Sequence, residues 1–93
     1  MTRQIIELDG RLLTSRTMLH DVLSKELELP EHYGRNLDAL WDCLTESSAR
    51  PLTINWSHYE ASKKQLGEYC EQVLHLFQDA EAELDGFVVK ITR

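Results

Sequence analysis

Three short apolar runs constrain this chain more than any other feature: residues 4–8 (QIIEL), 52–56 (LTINW) and 87–91 (FVVKI). Each has strand length, and two stretches of helical spacing separate each from the next. Strands interrupted by helices in this way pair in parallel, with right-handed crossovers. The third run is almost unbroken in apolar character and predicts a strand buried on both faces. The first run stops at Asp9-Gly10, a strong turn signal.

Between the strands the apolar spacing changes. Leu19, Val22, Leu23 and Leu27 recur at helical intervals. Ser15 or Thr17 can cap that helix, and Pro30 ends it, because the residue before a proline avoids the helical region. His20, near its start, reads as a solvated or packing histidine rather than a ligand. Residues 30–35 form a turn-prone segment in which Gly34 can supply an unusual backbone angle. His32 and Tyr33 are large side chains for such a turn. A second helix over residues 37–45 follows, capped by Asn36 and anchored in the core by Leu37, Leu40 and Leu44.

Beyond a serine-rich and charged break lies the second strand, and then Ser57-His58-Tyr59-Glu60, whose S-x-x-E form predicts a capping box and a short third helix. Gly67 interrupts it. Tyr69, Val73, Leu76, Phe77 and Ala80 then mark a fourth helix. The predicted order is β-α-α-β-α-α-β in a single α/β domain over residues 1–93, with a three-stranded parallel sheet packed with about four helices. Trp56, Tyr59, Tyr69 and Phe77 belong to the core or its edge.

Ninety-three residues suffice for one core, and 42% hydrophobic with 28% charged residues is an ordinary globular balance. The first ten residues lack an apolar signal-peptide core, and no run approaches membrane-spanning length, so a cytoplasmic protein without a membrane role is expected. The net charge of −6 argues against direct nucleic-acid binding, since a phosphate-binding groove should be basic. It favours a basic partner reached by electrostatic steering, although solubility by itself also accounts for an acidic balance. Cys43 and Cys70 have neither metal-ligand spacing nor the numbers for a disulfide framework, and read as buried reduced thiols, with a bridge between the two as the other reading.

The second helix carries the residues most open to a functional reading. At ~100° per residue, Asp38, Asp42 and Thr45 form a stripe beside the leucine face, with Trp41 on the border. Asp38 lies in the first turn, where the helix dipole stabilises a carboxylate by about 0.3–1 kcal/mol. Asp42 lies beyond that turn and opposes Asp38 at four-residue spacing, a cost of roughly 0.2–0.5 kcal/mol. Local structure therefore explains Asp42 less well, although a solvated acidic face accounts for the pair too. Two acids on one helix face cannot flank a scissile bond as a hydrolase requires. No calcium-loop pattern is present, and Cys43 lies away from the acids with no histidine motif beside it. No metal, cofactor or catalytic residue is expected.

Residues 21–45 include SKELELPEHYGRNLDALWDCLT, with Leu-Pro-Glu, Tyr-Gly and Asn-Leu-Asp-Ala-Leu-Trp-Asp-Cys-Leu-Thr in unbroken order. This segment closely resembles the signature of the barstar family, intracellular inhibitors of barnase-type ribonucleases. Weaker similarity continues through Pro51-Leu52, Trp56 and the fourth helix. The resemblance implies the parallel α/β fold and a non-catalytic function. A loop and helix would plug the active site of a small basic ribonuclease in a 1:1 complex, the free inhibitor being a monomer. It carries over contact positions at Tyr33, Gly34, Asn36, Asp38, Trp41, Asp42 and Thr45, with His32 and Glu46 flanking them, and acidic positions at Asp79 and Glu83 on the fourth helix. Asp42 would take the place of a substrate phosphate, Asp38 would pair with a neighbouring base, and Trp41 would give apolar contact. His32 stands where the family has tyrosine, Arg35 where it has glutamate, and Glu46 and Ser47 where it has glycine and tryptophan. These changes predict weaker binding to barnase itself and a related ribonuclease or toxin domain as the cognate enzyme. The alternative is a barstar-like domain that binds another basic protein.

Overall fold

The computed structural model describes residues 4–46 and 51–92. The chain runs β1 (Gln4–Asp9), a 3₁₀ turn (Gly10–Leu12), α1 (Arg16–Glu26), α2 (Leu37–Glu46), β2 (Leu52–Ser57), α3 (Tyr59–Leu66), α4 (Glu68–Glu83) and β3 (Phe87–Ile91). The strands form one sheet in the order β1-β2-β3, and both pairings are parallel. The predicted element order and parallel α/β class therefore hold, with four α-helices and three strands among the described residues.

The register explains where the core lies. Ile6 pairs with Ile54 and Ile54 with Val89, while Leu8 pairs with Trp56 and Trp56 with Ile91. Side chains two residues apart along a strand share a face, so these residues form one apolar surface. Ile6, Leu8, Ile54 and Trp56 on that face are buried, together with Leu19 and Leu23 of α1, Leu40 and Leu44 of α2, and Val73 and Phe77 of α4. Trp56 is central: its ring meets Tyr59 at 5.1 Å and Phe77 at 6.0 Å, both edge-to-face.

The opposite face carries Ile5, Glu7, Asn55 and Lys90, and there Ile5 remains 58% exposed. The expectation that β3 is buried on both faces is thus wrong: Lys90 points to solvent, and Val88 is half-buried. Apolar runs record a sheet position only when both faces are covered, and the described helices pack the Ile6–Trp56 face.

The other differences are local. α1 ends at Glu26 rather than near Pro30. Glu28 takes a left-handed φ of 53°, its N–H reaches the Lys25 carbonyl, and the Leu29 N–H reaches the Ser24 carbonyl at 2.9 Å. This is a Schellman closure, in which satisfying the last carbonyls stops the helix before the proline can. The predicted capping box does not form either. Ser57 remains in β2, paired with Asp9, and His58 caps α3 in a left-handed conformation without a side-chain hydrogen bond. Sheet pairing competes for Ser57 and wins.

The reason lies at Gly10. A Cβ there would sit 2.2 Å from the His58 carbonyl oxygen and 2.5 Å from that of Ser57, so the turn after β1 is pressed against the β2–α3 junction. Ser62 bridges this approach: its hydroxyl donates to the Gly10 carbonyl at 2.9 Å and accepts from the Trp56 indole N–H at 3.0 Å. Burial of three polar groups is thereby satisfied in one place.

Candidate functional site

The site is built from the segment between α1 and α2. Tyr33 N–H closes a turn on the Pro30 carbonyl at 3.0 Å. The side chain of Tyr33 points inward, 7% exposed, so that its hydroxyl lies 2.6 Å from Nδ1 of His20 on α1. Arg35 pairs with Asp21 and reaches the Thr17 carbonyl, both on α1, which turns its guanidinium away from the α2 face. The unusual backbone angle expected at Gly34 belongs instead to Arg35, with φ of 57°. A Cβ on Gly34 would approach Cβ of Ala39 to 3.2 Å, so close packing against α2 is what a side chain at Gly34 would disturb.

Asn36 caps α2 as expected. Its Oδ1 accepts from the Ala39 N–H at 2.8 Å, and its Nδ2 donates to the Gly34 carbonyl, so one side chain fixes both the helix start and the loop before it. Leu40 and Leu44 are buried, and Leu37, half-buried, packs against the core while it also lines a cleft. The cleft, about 310 Å³, lies between α2 and α4 and is lined by Leu37, Asp38, Trp41, Gln72, His75, Leu76 and Asp79. Trp41, placed on the border by helix geometry, supplies its α2 wall.

Three of the predicted positions therefore meet across two helices: Asp38 and Trp41 on α2, and Asp79 on α4. Asp42 and Glu46 continue the exposed stripe of Asp38 along α2, each one four-residue step further, and Glu83 lies one such step beyond Asp79. Thr45 is half-buried, and its hydroxyl points back to the Trp41 and Asp42 carbonyls at 3.0 and 3.1 Å. His32 and Gly34 are exposed on the loop, whereas Tyr33 is turned into the core. Ser47 lies outside the described residues.

The electrostatics are one-sided. Among the described residues, none of Asp38, Asp42, Glu46, Asp79 and Glu83 forms an ion pair; the pairs present are Arg11–Asp9, Arg35–Asp21 and Lys63–Glu71. Five carboxylates on two adjacent helices thus keep their charge for solvent or for a partner. Burial, and then the nearby Glu46 and Asp42 charges, push the Cys43 thiol pKa up, away from the reactive thiolate. Among the described residues no cluster of histidine, cysteine and acid could hold a metal ion, and no helix is long and apolar enough to cross a membrane.

Gln72 and His75 have no place in the sequence-based expectations, and Leu76 enters them only as part of the apolar spacing of α4. Their signal was available, since residues three, four and seven before Asp79 share its helix face. His20 and Tyr69 were placed only as packing residues. No sequence pattern joins them, because their contact is made between helices distant in the chain.

The whole described sequence also has known relatives. The family model for "Barstar (barnase inhibitor)" matches residues 3–92. A protein of Bacillus subtilis (strain 168) named "Putative ribonuclease inhibitor YrdF" is 48% identical over 90 residues, covering 96% of this chain and 98% of that protein. The chain belongs to the barstar family, a family of inhibitors rather than catalysts.

Proposed function

We propose that this protein inhibits a small basic ribonuclease of the barnase type, extracellular or a toxin domain, by occupying its active site in a 1:1 complex. The observation that carries the reading is the α2–α4 cleft, in which Asp38, Trp41 and Asp79 converge beside Asp42, with every carboxylate unpaired among the described residues. Ribonuclease active sites gather cations to hold a phosphate. A carboxylate presented on a rigid helix can take that place through charge-assisted hydrogen bonds. Asp42 plays this part, beyond the first turn of α2 and free to point outward. Asp38 and Asp79 together suit one further cation, and the flat face of Trp41 suits a guanidinium.

The remaining contacts come from His32 and Gly34 on the loop, from Asn36 and Thr45, and from Glu46 and Glu83 at the ends of the two helices. Tyr33 contributes by fixing the loop from beneath more than by its small exposed edge. Inhibition is by occlusion and needs no bond chemistry. A protein of this kind protects the cytoplasm of a cell that makes or meets the enzyme. His32 and Arg35 fit an enzyme related to barnase better than barnase itself.

Titration of the protein into a panel of barnase-type ribonucleases, with RNA cleavage followed, tests this. Stoichiometric loss of cleavage for at least one enzyme is expected. No inhibition across the panel, with capture of a different basic protein, would establish the other reading of the family fold.

A further inference from the structure

The buried imidazole of His20 joins three parts of the molecule. It lies on α1 and is 2% exposed. Its Nδ1 is 2.6 Å from the hydroxyl of Tyr33, in the loop that leads into α2, and its Nε2 is 2.6 Å from the hydroxyl of Tyr69, in the first turn of α4. Since α2 and α4 are the walls of the cleft, the chain Tyr33–His20–Tyr69 ties the loop that leads into one wall to the start of the helix that forms the other.

The protonation of this chain is restricted. A neutral imidazole offers one donor and one acceptor, so one tyrosine donates to the ring and the other accepts from it. Burial pushes both phenol pKa values up, so both hydroxyls keep their protons. A second proton would make both ring nitrogens donors, and the hydroxyl that had donated would have to turn its hydrogen elsewhere among buried groups. The surroundings also oppose the charge. The ring is faced by Tyr33 and Arg35 from the loop, by Tyr69 from α4 with the Arg16 guanidinium 4.4 Å over its ring, and by Asp21 from its own helix. Burial, and then Arg35, lower the His20 pKa against the opposing effect of Asp21.

We propose that His20 and Tyr69 are positioning residues of the inhibitory face: acting through Tyr33, they hold the loop of residues 30–35 in its docking position, and a second proton on His20 releases it. Neither residue touches the partner. This rests on the ribonuclease-inhibitor reading and adds to it residues that act from within. A loop that holds its docking position only part of the time lowers the competent fraction, which slows association and leaves dissociation of the formed complex unchanged.

Two measurements test the proposal. In the free protein carrying His32→Gln, so that the loop's own imidazole adds no titration step, nuclear magnetic resonance follows the His20 ring and the amides of residues 30–36 from pH 8 to pH 5. The amides are expected to move with the His20 midpoint and to stop doing so once His20→Gln is added; amides indifferent to the His20 titration would overturn the proposal. The second measurement is the association rate of Tyr69→Phe with an inhibited barnase-type ribonuclease at pH 8. It is expected to be roughly three- to tenfold slower than wild type, the size of one lost hydrogen bond, with an unchanged dissociation rate and a native circular dichroism spectrum. An unchanged association rate would also overturn it. Absence of inhibition by the wild-type protein would sink the inhibitor reading, and the amide titration would then decide the positioning of the loop by itself.

Discussion

Asp38 of α2 and Asp79 of α4 line the same cleft, to whose α2 wall Trp41 also belongs. Two like charges on facing walls repel in the free protein, weakly while solvated, and a cation entering between them satisfies both. Their effects on binding should therefore be coupled. Asp38→Ala and Asp79→Ala are each expected to weaken the complex. The double variant should lose less than the sum of the two by about 0.5–3 kcal/mol, as for residues sharing one partner group. Dissociation constants of the four proteins give the coupling; strict additivity would place the two acids on separate partner groups.

Asp42 is less well explained by its own helix than Asp38, and its replacement should be the more costly. Asp42→Ala is expected to weaken ribonuclease binding by roughly 2 kcal/mol or more, within a range whose upper end was itself set by an aspartate of barstar. Part of that loss is the cost of leaving the enzyme's cations buried without a partner. Affinity measured by titrated RNA cleavage checks this, and an unaltered value would remove Asp42 from the interface.

Five carboxylates on one side of the protein, unpaired among the described residues, should also steer a basic partner. The association rate is expected to fall as ionic strength rises, because added salt shortens the range over which the charges act to ~10 Å at 0.1 M. Stopped-flow association across a salt series gives the slope. A rate independent of salt would mean that shape rather than charge governs encounter.

Ser62 satisfies the Trp56 indole N–H and the Gly10 carbonyl together. Ser62→Ala leaves a buried indole donor without its partner at the point where β1, β2 and α3 converge, and should lower stability by about 1–3 kcal/mol. Urea denaturation is expected to show a lower midpoint with an unchanged slope. A midpoint equal to wild type would mean that another group accepts the indole hydrogen.

The stability of the fold should depend on pH through His20. Its native pKa is lowered from 6.5 by burial first and by Arg35 second, so the unfolded chain takes up the proton more readily than the folded one. Stability therefore rises with pH across that interval. The contribution is full above about pH 6.5 and declines as pH falls toward the lowered native value. Urea midpoints of wild type and His20→Gln, compared from pH 8 to pH 5, should show a fall in wild type that the variant lacks. Parallel curves would assign the pH dependence to other groups.

Much of this architecture was legible in the residues. The strand segments and the order of the helices follow from apolar spacing, and the Asn36 and Ser15 caps follow from side-chain chemistry that acts within three residues. The stripe on α2 was equally legible, because 3.6-residue periodicity alone aligns Asp38 and Asp42 beside Thr45, whereas Glu46 joins it only because α2 runs one residue further than expected. What failed were readings in which a local signal met a tertiary competitor. Ser57 had the sequence of a cap but was held by the β1 ladder, and Pro30 had the power to end α1 but the chain had already closed on Ser24 and Lys25. FVVKI had the composition of a doubly buried strand, yet Lys90 faces solvent.

By itself, then, the sequence determined the parallel α/β order, the capped helix and the row of acids along it, since each depends on contacts within a turn or two of chain. Only the tertiary structure decided that Asp79 would stand across a cleft from Asp38 and Trp41, and that His20 would bridge Tyr33 and Tyr69. Those meetings depend on how α1, α2 and α4 pack over one face of the sheet. The packing is set by the shared burial of Leu23, Leu40, Leu44, Val73 and Phe77 against Ile54 and Trp56, which no local pattern encodes.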